Sequence, residues 1–201
     1  MHSGSDVAPW TNAAHIPTFQ AFLRWVSIDN NDSLWGGVDS INNGYFAGNH
    51  DNLQQFNLLW THRFTSAFFT ASEMYYIYQY NAAQGGSCNF GPVKPFGGGG
   101  GCCPTLIGRS DALGAVNYTE LKIRDKDFLS FRTDFLDDYE GQRTGYSTPY
   151  MSLTLGLTHL FNALFEVRPE IRYDVAFNAS PYDNGLRSSQ KMFIIDTIIR
   201  Y

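Results

Sequence analysis

Phe165-Glu166-Val167-Arg168-Pro169-Glu170-Ile171-Arg172-Tyr173-Asp174 decides the fold of this 201-residue chain. In an extended chain successive side chains point to opposite faces. Phe165, Val167, Ile171 and Tyr173 therefore share one side, and Glu166, Arg168, Glu170, Arg172 and Asp174 share the other. The period is two, not the 3.6 of a helix. The closing run from Met192 repeats the scheme, with Phe193, Ile195, Thr197, Ile199 and Tyr201 opposite Ile194, Asp196, Ile198 and Arg200. Tilted strands of about 9 to 11 residues cross the apolar slab of a bilayer, and both runs are long enough. Phe165 and Tyr173 stand near the two ends of the apolar face, where aromatic girdles of a membrane barrel meet the lipid interfaces. A half-exposed strand of a soluble β-sandwich alternates in the same way, so the rest of the chain must decide between the two.

Working outward, the same two-faced pattern recurs. Residues 150–159 set Met151, Leu153, Leu155 and Leu157 against Ser152, Thr154, Gly156 and Thr158, and residues 127–136 set Leu129, Phe131, Thr133 and Phe135 against Ser130, Arg132 and Asp134. Further strands are expected at 111–121, 67–78, 53–60 and 16–28, with a short one at 35–40 that makes the total eight or nine. Tyr75, Tyr76, Tyr78 and Tyr80 fit an interfacial girdle, with rings in the apolar layer and hydroxyls in water. The connections alternate. Counting back from the carboxyl end they are long (177–189), short (160–162), long (137–148), short (122–126), longest (81–109), short (61–66) and long (29–52). Outer-membrane barrels have short periplasmic turns and long external loops. A sandwich has no reason to obey such a rule.

Several segments resemble one family. Arg168-Pro169-Glu170-Ile171-Arg172-Tyr173-Asp174, Tyr182-Asp183-Asn184-Gly185 and Asp196-Thr197-Ile198-Ile199-Arg200-Tyr201 are similar to the C-terminal hairpin of the β-barrel porin family called OmpL-like. Phe131-Arg132-Thr133-Asp134-Phe135-Leu136-Asp137-Asp138 with Gly141-Gln142-Arg143-Thr144-Gly145 resembles that family's strand and loop, as does the stretch from Asp51 through Trp60-Thr61-His62-Arg63-Phe64. The resemblance implies a pore-forming barrel of a bacterial outer membrane and brings no catalytic residues. Family members are usually longer, and no signal peptide is legible near Met1. The expectation is an all-β antiparallel transmembrane barrel of which residues 1–201 are the carboxyl part. Its first and last strands, near 19–28 and 192–201, should then be unpaired edges of an open sheet.

Composition agrees. Aromatic residues make up 16% and charged residues only 16%, where soluble domains carry nearer a quarter charged. No run of 18 apolar residues exists, which excludes a membrane helix. The net charge of -5 disfavours nucleic acid as a partner.

Chemistry is sparse. Cys88, Cys102 and Cys103 fall in a glycine-rich external loop (79–110), where a disulfide from Cys88 to Cys102 or Cys103 is expected; the zinc spacing that would need paired cysteines or nearby histidines is missing. The glycine run 97–101 lacks the Lys-Ser or Lys-Thr of a phosphate loop. His2, His15, His50, His62 and His159 are scattered, mostly beside turns. No catalytic residue, metal site or cofactor is expected. The functional candidates are the charges that would be costly against lipid: Arg132, Asp134, Glu166, Arg168, Glu170, Arg172, Asp174, Asp196 and Arg200. They are expected to line the lumen of a channel for passive diffusion of small hydrophilic solutes, with outer-membrane lipid as the other partner. The alternatives are a structural or adhesive barrel without a pore, and a soluble sandwich that binds a ligand.

Overall fold

The computed structural model describes residues 19–41, 45–46, 50–51, 53–85 and 105–200. Its strands are β1 (Phe19–Val26), β2 (Asp32–Ile41), β3 (Tyr45–Phe46), β4 (His50–Asp51), β5 (Gln54–Arg63), β6 (Phe68–Ala83), β7 (Thr105–Arg124), β8 (Asp127–Asp138), β9 (Thr148–Leu160), β10 (Phe165–Ala176) and β11 (Ser189–Ile199). Nine of them form a single antiparallel sheet in the order β1-β2-β5-β6-β7-β8-β9-β10-β11, while β3 and β4 pair with each other. The antiparallel all-β expectation holds, and the short strand foreseen at 35–40 is a ten-residue strand of the main sheet. A sandwich needs two sheets packed face to face. The described strands supply one large sheet, so the soluble sandwich is set aside.

Burial runs opposite to that of a water-soluble domain. The buried apolar residues are few and mostly small: Ile77, Ala82, Ala83, Ala112 and Ala176. The largest fully buried side chains are Gln142, Thr148, Asp138 and Ser110. Large apolar side chains face outward instead. Phe131, Leu155, Ile171 and Phe193 are consecutive partners across β8, β9, β10 and β11, and all four are exposed. With Leu58, Trp60, Met74 and Phe135 they spread far past the few hundred Å² of contiguous apolar patch that a soluble monomer shows. A bilayer satisfies that face. The strand backbones bond to one another, as a spanning segment in lipid requires.

Every short connection lies at one end of the sheet and every long one at the other. The short turns are 27–31, 64–67, 125–126 and 161–164; the long connections are 42–53, 84–104, 139–147 and 177–188. Two turns share one construction. In Thr61-His62-Arg63-Phe64 and in Thr158-His159-Leu160-Phe161, the histidine Nδ1 meets a carboxylate of the preceding strand, Asp32 at 2.7 Å and Asp127 at 2.6 Å. Each histidine then packs edge-on against the turn phenylalanine, which lies against the first aromatic residue of the next strand, Phe68 or Phe165.

Two boundaries differ from those the sequence suggested. The loop expected over 79–110 is narrower, because β6 and β7 stay paired as far as Ala83 and Thr105. Asn81 and Gly108 read as loop formers; both adopt positive φ, and the Asn81 side-chain carbonyl accepts the Gly108 N–H. They form a bulge inside the ladder, a common use of such residues in sheets. The three cysteines and the 97–101 glycines lie outside the described residues. The loop expected over 29–52 is divided by β2, leaving a five-residue turn on one side.

Among the described residues β1 pairs only with β2 and β11 only with β10. The sheet is open, and its two edges are the strands the sequence indicated.

Candidate functional site

The nine charged residues singled out from the sequence do share the polar face. Arg132, Thr154 and Arg172 are partners across β8, β9 and β10, and so are Asp134, Ser152 and Asp174 one step along. Along β10 the charges separate into two groups. Near the short turns, Glu166 is buried between two cations: Arg200 Nη2 is 2.8 Å from its Oε2 and Arg168 Nε is 3.7 Å from its Oε1. Arg168 also donates to Asp196 at 2.9 Å. Near the long loops, Arg132 donates to Asp134 at 2.5 Å and Arg172 to Asp174 at 2.6 Å. Both pairs are an arginine and an aspartate two residues apart on one strand, which places their side chains on the same face. Glu170 stands between the groups, opposite Gly156 and Ile194.

The second group lines a cavity of about 530 Å³ together with Glu73, Tyr75, Tyr118, Tyr150 and Tyr182. Its lining runs from β6 to β11. Laid flat at about 4.8 Å per strand, those two strands would be roughly 24 Å apart, while a cavity of this volume is only roughly 10 Å across. The meeting of side chains from all six of these neighbouring strands at one cavity fits a sheet that curls around it.

Two long loops roof the cavity through Thr144, Pro181 and Tyr182. Asp138, fully buried at the end of β8, holds the first: its Oδ2 accepts the backbone N–H of Arg143 at 3.1 Å, that of Thr144 at 2.7 Å and the Thr144 hydroxyl at 2.7 Å. Gly85 donates to the Gly141 carbonyl at 2.9 Å, and the Gln84 amide to that of Gly145 at 2.9 Å. Gly141 and Gly145 have φ of 80° and 87°, a region side chains rarely enter, so this stretch requires its two glycines. The second loop is fastened by Asn178 N–H donating to Thr148 Oγ1 at 2.9 Å. What reads in the sequence as a polar loop is a fixed lid.

Tyr75 sits differently from the girdle place its sequence neighbours suggested. Tyr76, Tyr78 and Tyr80 cluster with Phe56, and Arg109 stacks over Tyr76 and Tyr78. Tyr75 is one residue out of phase with them and turns to the polar face. Its ring lies over Gly114: a Cβ there would come within 2.0 Å of Tyr75 Cζ. Parity alone could have separated it from the others. Tyr118 carries the Arg132 guanidinium 5.0 Å above its ring. The Tyr182 hydroxyl, in the roof, is pushed up to about 12 by burial and then by the nearby Asp174 carboxylate. Glu73, Tyr118 and Tyr182 carried no distinctive signal, because the curl of the sheet and the fold of the lid bring them together.

His62 and His159 lie on β5 and β9, four strands apart, and each is committed to its turn aspartate. Among the described residues no group of three or more His, Cys, Asp or Glu could hold a metal ion.

Residues 12–201 match the family described as putative beta-barrel porin-2, OmpL-like. The chain belongs to this family. The match covers the whole nine-stranded sheet, and it agrees with the inverted burial and the alternating connections of this OmpL-like chain. No curated protein matches the chain.

Proposed function

We propose that this OmpL-like chain forms the wall of an outer-membrane channel through which small hydrophilic solutes diffuse passively. The observation that carries the reading is the pairing of a continuous apolar face with a polar face bearing all nine candidate charges. Such charges are expensive against lipid, so the polar face is the lumen. Interstrand ion pairs such as Arg168–Asp196 and Arg200–Glu166 fix the charges in place and set a transverse field across the passage. Open strand edges do not occur in the hydrocarbon region. We infer that further strands join β1 and β11 and widen the ring beyond the eight strands at which a barrel interior is filled by its own side chains.

The test is conductance in planar lipid bilayers of protein refolded from detergent. Discrete openings whose size changes on Arg132→Ala or Arg172→Ala support the channel. A folded, membrane-inserted protein that never conducts would assign it instead to a structural or adhesive barrel.

A further inference from the structure

We infer that the cavity beneath the lid is a binding subsite for neutral sugars, of about the size of a disaccharide; this deepens the channel reading by naming a solute class.

Charge comes first. The lining holds three carboxylates, Glu73, Asp134 and Asp174, and two guanidiniums, Arg132 and Arg172. Each guanidinium is already bonded to its own carboxylate, and Asp174 is further satisfied by Ser152 and by Gln190 at 2.8 Å. A phosphate or carboxylate ligand would have to compete with these built-in partners beside an excess acid. It would lose more solvation than it recovers. The site is therefore polar without being selective for anions.

Aromatic geometry comes second. The end of the Tyr75 ring fills the space above Gly114, which fixes the ring in the wall of the cavity it lines. Tyr118, Tyr150 and Tyr182 add further ring surface around it. A sugar ring has a C–H face that packs on such rings, and hydroxyls at its rim that both donate and accept. The rim of this cavity offers both roles. Each guanidinium has five N–H donors, more than the bonds it makes to its aspartate, and Glu73 accepts only a long 3.4 Å bond from Asn57 among the described hydrogen bonds. An apolar body with a few placed polar groups in about 300 to 1,000 Å³ is the usual form of a small-molecule site. At about 530 Å³ this cavity lies inside that range.

The experiment is equilibrium titration of the detergent-refolded chain with maltose, sucrose, glucuronate and glucosamine, followed by calorimetry and ligand-observed NMR. Neutral disaccharides should bind with millimolar affinity, and the charged monosaccharides no tighter. Tyr75→Leu and Tyr182→Leu should each weaken binding at least tenfold. Tyr75→Phe, which keeps the ring, should stay within threefold. Tyr173→Leu, on the apolar face, serves as the folding control. Glucuronate binding tighter than the neutral sugars would overturn the inference, as would the absence of neutral-sugar binding or equal affinity in Tyr75→Leu. Binding is read without conductance. Sugar binding by a protein that never conducts would therefore sink the channel and keep the subsite, while conductance without sugar binding would do the reverse.

Discussion

An arginine at Ile171 tests the assignment of the two faces most directly. Ile171 lies six residues beyond Phe165 on β10, with Leu155 and Phe193 beside it. At about 3.3 Å per residue and a tilt of about 40°, that places it roughly 15 Å from the level of Phe165. The apolar band of a barrel is about 25 Å tall, so Ile171 is within a few ångströms of the bilayer midplane. A cation there costs about 2 to 4 kcal/mol, or roughly 30- to 700-fold in the folded-to-unfolded ratio. The control is Ile194→Arg. Ile194 belongs to the polar face opposite Glu170, so a new cation there gains a partner and should be close to neutral. Thr154 would serve less well, because it stands between Arg132 and Arg172. Urea titration of both variants refolded into phosphatidylcholine vesicles, with folded protein read as the heat-modifiable gel band, gives the two free energies. Equal losses at the two positions, or none at Ile171, would refute the placement of lipid and lumen.

Gly114→Ala should force the Tyr75 ring off the wall and into the cavity, at about 1 to 3 kcal/mol for overpacking; urea midpoints compared with those of a Gly114→Ala/Tyr75→Ala double variant would show whether the ring is the cause. Glu166→Gln should cost about 1 to 3 kcal/mol, since Arg168 and Arg200 lose the buried carboxylate between them, and a thermal-melt decrease that high salt fails to mimic would distinguish this from exposed pairs. The Tyr182 hydroxyl ionises near pH 12 rather than at the ordinary phenol value. Its raised value means that its packing stabilises the lid fully below about pH 10 and less as pH rises toward 12. Ultraviolet titration at the tyrosinate band, wild type against Tyr182→Phe, should lose one late-titrating group, and loss of an early one would contradict the burial of this residue.

Strand existence and facing were legible in the sequence because both follow from period two. Phe165 to Asp174 reads as a two-faced strand in isolation, and β10 is that strand. Parity assigned the charges within each strand to one side, and the register sets Arg132, Asp134, Asp196 and the five charges of β10 on a shared face. Strand ends were harder to read. Asn81 and Gly108 carry the same local preferences in a bulge as in a loop, and only pairing with the opposite strand tells them apart. The cavity was only half legible. Arg132, Asp134, Arg172 and Asp174 announce themselves as charges on a spanning strand. The tyrosines do not, since an aromatic ring suits a lipid interface, a core and a lumen equally well. Lid placement depends on contacts between residues as distant in sequence as Gln84 and Gly145, which no local pattern encodes.

The β6–β7 hairpin outgrows the membrane. β7 has 20 residues and β6 has 16, so at about 3.3 Å per residue and a tilt of about 40° they rise roughly 50 Å and 40 Å against an apolar band about 25 Å tall. The surplus is on the side of the long loops, where Ala83 and Thr105 are still paired. The hairpin is thus a parapet: its upper rungs stand in water, and loop 139–147 leans on it through Gln84 and Gly85. Anything approaching from that side meets the crest of this wall before it reaches the cavity.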